Sequence, residues 1–162
     1  MKKTLHIVCY SFILVFTISA KLPERYNPYR ADGSFKPVSI RIEWDNPDLP
    51  PDVSEKMRQR KLIKLVAGPE GIKLTKGKKT RKIATEDYLD LWKLLKKVRF
   101  WDLDGNVLTT PHPVGVPIRI FSLKMEGSGE KYLNVDVPNK TSRKHFLVID
   151  FIEKLCSTYL FR

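Results

Sequence analysis

The sequence is short of cysteine, of glycine and of acidic side chains. Two cysteines in 162 residues cannot build the dense disulfide framework of a small stapled domain. Eight glycines and eleven prolines exclude a collagen-like or low-complexity chain. Long apolar runs are missing as well. The longest, Leu5 to Ile18, is about 14 residues, against the roughly 20 that a helix needs to cross a bilayer. Only 18 Asp and Glu stand against 30 Lys and Arg, leaving a formal net charge of +12. What is there in quantity is apolar, 42% of the chain, which argues against disorder. A chain of this length buries roughly two thirds of its unfolded surface in one core.

The N-terminus carries an address. Met1-Lys2-Lys3 is basic, Leu5 to Ile18 is apolar, and Ser19-Ala20 is small. That is the three-part pattern of a secretory signal peptide, and cleavage is expected after Ala20. An uncleaved N-terminal anchor is the alternative. The mature chain is then extracytoplasmic, periplasmic or secreted, with no membrane span of its own. Cys156 is the one cysteine left after cleavage, so no intramolecular disulfide can form. It is expected as a buried thiol on a helix, with an intermolecular bridge or a reactive thiol as alternatives. An exported domain without disulfides, opening Met-Lys-Lys, fits a bacterial chain. Asn139-Lys140-Thr141 matches the N-glycosylation acceptor, which matters only in a eukaryotic setting.

Residues 21–37 carry three prolines and read as an extended leader. Residues 38–162 read as a single α+β domain. Val38, Ile40, Ile42 and Trp44 alternate with Ser39, Arg41 and Glu43, the period of a half-buried strand. The prolines at 47, 50 and 51 end it. Strands follow at 62–67 and 72–75 around a Gly-Pro-Glu-Gly turn, with a further short strand over 80–84. Thr85 is placed as a helix N-cap, with Glu86 and Asp87 in the first turn. Tyr88, Leu91, Trp92, Leu95 and Val98 repeat at three and four residues, one apolar helical face. Phe100-Trp101-Asp102-Leu103 plugs the core beyond that helix, and 104–117 is irregular. Strands over 118–125 and 131–137 flank Gly127-Ser128-Gly129, and a last helix covers 143–159. The expected fold is an antiparallel sheet of about five strands with two helices packed on one face.

Catalytic and metal motifs are few. His112 and His145 are the histidines left after cleavage, and with one cysteine they do not make a zinc site. Asp102 to Asn106 resembles the start of a calcium loop, but Val107 and Pro113 stand where that loop needs glycine and glutamate, so it is read as a turn. There is no glycine-rich phosphate loop and no nucleophile elbow. No cofactor is implied. An enzyme would need Asp102, Asp104, His112 or Glu126 to converge in a deep pocket.

Charge is the informative feature. Residues 56–99 hold 15 Lys and Arg against 4 Asp and Glu, and the rest of the mature chain is nearly neutral. Lys73, Lys76, Lys78, Lys79, Arg81 and Lys82 crowd the second hairpin, and Lys93, Lys96 and Lys97 ride the following helix. Clustered cations attract polyanions and anionic membranes; the plainer alternative is a solvated surface that discourages strand pairing. Export removes the chain from cytoplasmic DNA and RNA. Tyr88 and Trp92 lie on the apolar helical face and read as core, so nucleic acid is set aside as a partner. Lipid, lipopolysaccharide, glycosaminoglycan or an acidic protein remains.

From Lys61 to about Leu160 the layout resembles small secreted bacterial domains of unknown function. It carries a glycine-turned hairpin, a helix with Tyr88-x-x-Leu91-Trp92-x-x-Leu95, then Phe100-Trp101-x-Leu103, a second hairpin and a closing helix. It is similar in layout to emfourin-type inhibitors of metalloproteases. The strand at 38–44 and the Pro47–Pro51 loop depart from that compact pattern. The resemblance implies a proteinaceous protease inhibitor as the alternative to a non-catalytic domain that binds an anionic partner.

Overall fold

A computed structural model describes residues 24–161. The signal segment and its cleavage point at Ala20 lie outside the described residues. The chain forms seven strands and three helices, with two short 3-10 turns. The strands are β1 (Val38–Asp45), β2 (Ile63–Gly68), β3 (Gly71–Lys76), β4 (Lys79–Lys82), β5 (Asn106–Val107), β6 (Ile118–Met125) and β7 (Gly129–Val135). The helices are α1 (Pro51–Lys61), α2 (Thr85–Val98) and α3 (Arg143–Leu160). One sheet runs β4-β3-β2-β1-β6-β7-β5. All its pairings are antiparallel except β5 with β7. The α+β class is as expected; the numbers of strands and helices are larger.

Side-chain alternation decides which face of the sheet is covered. Ile40 and Ile42 of β1, Ile63 and Leu65 of β2, Leu74 of β3, Phe121 and Leu123 of β6 and Leu133 of β7 are all essentially inaccessible. They point to one side, because successive strand residues alternate between faces. α2 and α3 close that side with Tyr88, Leu91, Leu95, Val148, Ile149 and Ile152. Phe100 follows α2 into the core and packs edge-on against Phe121 with ring centroids 5.3 Å apart, a contact that burial stabilises by about 2–3 kcal/mol per ring.

Three sequence expectations are corrected. The stretch after Pro50 is a helix, α1, and not merely the end of a strand. Its sequence, PDVSEKMRQRK, has too few apolar residues to show a helical period. Pro51 suits the first helical position because its missing N–H is not needed there. The helix is held from outside: Ser54 Oγ and Arg58 Nη2 both donate to Asp45 Oδ1, at 3.2 and 3.0 Å. α1 therefore flanks the face opposite α2 and α3. Second, Thr85 is inside α2 and does not cap it. The residue at the cap position is Ala84, whose N–H donates to Tyr159 Oη of α3 at 3.0 Å; the same hydroxyl bonds the Asp87 carboxylate. Third, the fourth strand begins at Lys79 and stops at Lys82, and a two-residue strand, β5, adds a parallel edge to β7 inside the stretch read as irregular.

Residues 24–37 pack on the domain. Tyr26 is 5% exposed, its hydroxyl accepts from the Trp101 N–H at 3.2 Å, and Trp101 Nε1 donates to the Arg25 carbonyl at 3.0 Å. Tyr29 stacks on Phe35, which meets Tyr88 edge-on.

A cationic surface on the open face of the sheet

The nine cations picked out by the sequence do not form one patch. Lys73 and Lys76 lie on one strand, three residues apart, so they point to opposite faces. Lys76 and Lys79 are on the helical side, where both ammonium groups sit over the Phe161 ring, 5.4 and 5.0 Å from its centroid. Lys79 Nζ also donates to the Leu160 carbonyl at 3.2 Å. That pair serves the C-terminus of α3, where unpaired carbonyls and the helix dipole favour a cation. Arg81 is opposite Leu74 in the ladder and so shares the helical side. Lys78 is in the β3–β4 turn. Lys93 is paired with Asp90 at 2.7 Å. Lys96 and Lys97 close α2, about 17 Å along its axis from the end joined to β4, at about 1.5 Å per residue.

Lys73 and Lys82 remain, and they face the side of the sheet that α2 and α3 leave open. The register carries that face further. One row across it reads Lys82, Lys73, Val66, Ser39, Lys124, Glu130. The next reads Thr80, Thr75, Lys64, Arg41, Ser122, Tyr132. Five cations from five strands thus share one surface: Arg41, Lys64, Lys73, Lys82 and Lys124. Sequence reading missed Arg41, Lys64 and Lys124 because they are far apart in the chain. The usable signal was strand parity: each alternates with buried residues on its own strand.

Carboxylates temper this surface. Glu70 pairs with Lys73 at 2.6 Å, and its carboxyl is held below the ordinary range by that contact. Glu43 pairs with Arg41 at 2.6 Å. Glu130 stands opposite Lys124. At the Asp45 end, α1 rises beside the face and leaves a groove of about 640 Å³ lined by residues such as Arg41, Glu43, Ser54 and Arg58.

The acid and base candidates each have a different partner. Asp102 is bound by Arg99 at 3.0 Å and Arg25 at 3.2 Å, and Glu126 by Arg30 at 2.8–2.9 Å. The Asp104 carbonyl accepts from buried His145 at 2.8 Å. His112 joins Asp136, which the sequence did not single out. Asp136 is 1% exposed and accepts from the Thr109 and Val137 amides at 2.7 Å. His112 Nδ1 is 3.1 Å from its Oδ2, and His112 Nε2 is 2.9 Å from the Val116 carbonyl. Burial disfavours the Asp136 charge, but the hydrogen bonds outweigh it and hold the carboxyl below the ordinary range. Both nitrogens lie within hydrogen-bond distance of protein acceptors, so His112 anchors its loop. No hydrogen bond or ion pair joins any two of Asp102, Asp104, His112 and Glu126. The sequon residue Asn139 accepts from the Thr141 and Ser142 amides through Oδ1, a turn that leads into α3. Among the described residues, no group of three or more His, Cys, Asp or Glu is placed to hold a metal, and no helix is long and apolar enough to cross a membrane.

No protein-family model, no curated protein and no solved structure matches this chain.

Proposed function

We propose that this is an exported, non-catalytic domain that binds an anionic macromolecular partner through the open face of its sheet. The observation that carries the reading is the pairing register, which gathers Arg41, Lys64, Lys73, Lys82 and Lys124 from five strands onto one uncovered surface. Binding of this kind is electrostatic and falls steeply with salt. The lysines at the α3 terminus and on α2 contribute general attraction and not the docking surface. Retention on immobilised heparin and on vesicles containing anionic lipid, measured against salt, tests the reading. Salt-sensitive retention of the mature domain is expected; passage through both at low salt would overturn it. Export is tested separately, by sequencing the N-terminus of protein recovered outside the cytoplasm. A start at Lys21 is expected, and a retained Met1 would favour the anchored form.

A further inference from the structure

The open face carries an apolar interruption in its row of cations. Val66 is 47% exposed, and its partners across the ladder are Lys73 on one side and Ser39 on the other. Ser39 in turn faces Lys124. Beside Val66, at the end of β1 and against the β6–β7 turn, lies a depression of about 500 Å³. Its exposed apolar surface comes from Pro37 and Val66, since Val38, Ala67 and Met125 beside them are each 2% exposed and belong to the core, and Lys124 is its one cation. Glu126 on the rim is occupied by Arg30, which grips it with two nitrogens at 2.8–2.9 Å. A concave, mostly apolar surface with a few placed polar groups is the usual form of a small-molecule site.

Charge and apolar surface in this order match one kind of molecule, an apolar chain ending in an anion. We infer that the depression takes the acyl or alkyl chain of a single-chain anionic amphiphile, its head group held by Lys124. This rests on the cationic-face reading above and adds to it: beside a macromolecular partner, the same face takes a small anionic amphiphile. Each methylene moved from water into an apolar site contributes about fourfold in affinity when fully buried. In so open a depression part of the chain stays wet, so the gradient is shallower but present.

The experiment is calorimetric titration of the mature domain with dodecyl phosphate below its micelle concentration, with butyl phosphate and dodecyl maltoside as comparisons. Saturable one-to-one binding of dodecyl phosphate is expected, at least about tenfold tighter than butyl phosphate and far tighter than the uncharged maltoside. Val66→Gln and Lys124→Ala should each weaken it about fivefold or more, while Val66→Gln keeps its retention on heparin. If Val66→Gln misfolds by circular dichroism, Ser39→Gln, which intrudes on the same depression, replaces it. Equal affinity for butyl and dodecyl phosphate, or unchanged binding in both variants, would overturn the inference while leaving heparin retention intact. Loss of heparin retention in the wild-type domain would instead remove the broader reading.

Discussion

Lys73 and Lys82 stand directly opposite each other across the β3–β4 ladder, on the face of the sheet that α2 and α3 leave open. Like charges in that relationship oppose pairing by roughly 0.2–1 kcal/mol, and β4 has no buried residue to offset the cost. Glu70 relieves part of it through Lys73. Lys82→Glu is therefore expected to raise the urea midpoint slightly while reducing retention on heparin. A midpoint that falls would contradict the repulsion.

Lys79 should behave in the opposite way. Its ammonium closes the last turn of α3 through the Leu160 carbonyl and lies over Phe161. Lys79→Ala is expected to lower stability by about 0.5–1 kcal/mol, the range for a cation at a helix C-terminus, with little change in anion binding. Thermal and column measurements on the same two variants separate the structural lysine from the binding one.

Asp136 is expected to make stability depend on acid. Its folded carboxyl titrates below the ordinary 3.8, so the unfolded chain takes up a proton first as pH falls. The contribution of Asp136 is complete above about pH 5 and is lost as pH drops through its folded value. Asp136→Asn is expected to cost about 3 kcal/mol near neutrality, as loss of one partner of a buried charged network does. Urea melts between pH 6 and 2.5 should show that gap narrowing with acid. A constant gap would place the effect in packing alone.

Cys156 is fully buried on α3, and burial pushes its thiol up to about 11. The thiolate is the reactive form. Native protein at pH 8 is expected to resist iodoacetamide and to label only as it unfolds. Labelling at the rate of a free thiol would mean that the helix opens readily or that the residue serves another purpose.

Residues 24–37 belong to the folded unit by their contacts. Tyr26→Ala removes a buried ring and the acceptor of the Trp101 amide, and the expected loss is about 3 kcal/mol, as for other aromatic truncations in a core. A variant as stable as wild type would make this segment an appendage.

Much of the scaffold was legible because its residues obey one period. Val38, Ile40 and Ile42 alternate with polar neighbours, and Tyr88, Leu91 and Leu95 repeat on one helical face, so β1 and α2 were visible in outline. α1 was not, because it is polar and depends on Asp45 from another element. β5 was not, because two residues carry no period and its register exists only against β7. The cations show the same division. Lys73 to Lys82 look like one cluster along the chain, yet a period of two sends Lys73 and Lys76 to opposite faces. Arg41, Lys64 and Lys124 look unrelated until antiparallel pairing sets them side by side. Local patterns are written locally; a surface assembled across strands needs the register.

The central claim is that the open sheet face, and not the basic segment at large, engages the anionic partner. Salt-dependent heparin retention of two triple variants tests it most directly: Lys64→Glu with Lys73→Glu and Lys82→Glu on the face, and Lys93→Glu with Lys96→Glu and Lys97→Glu on α2. Both carry the same change in net charge. The first is expected to lose retention near physiological salt and the second to keep most of it. Equal loss in the two would contradict the claim and leave only a general excess of positive charge.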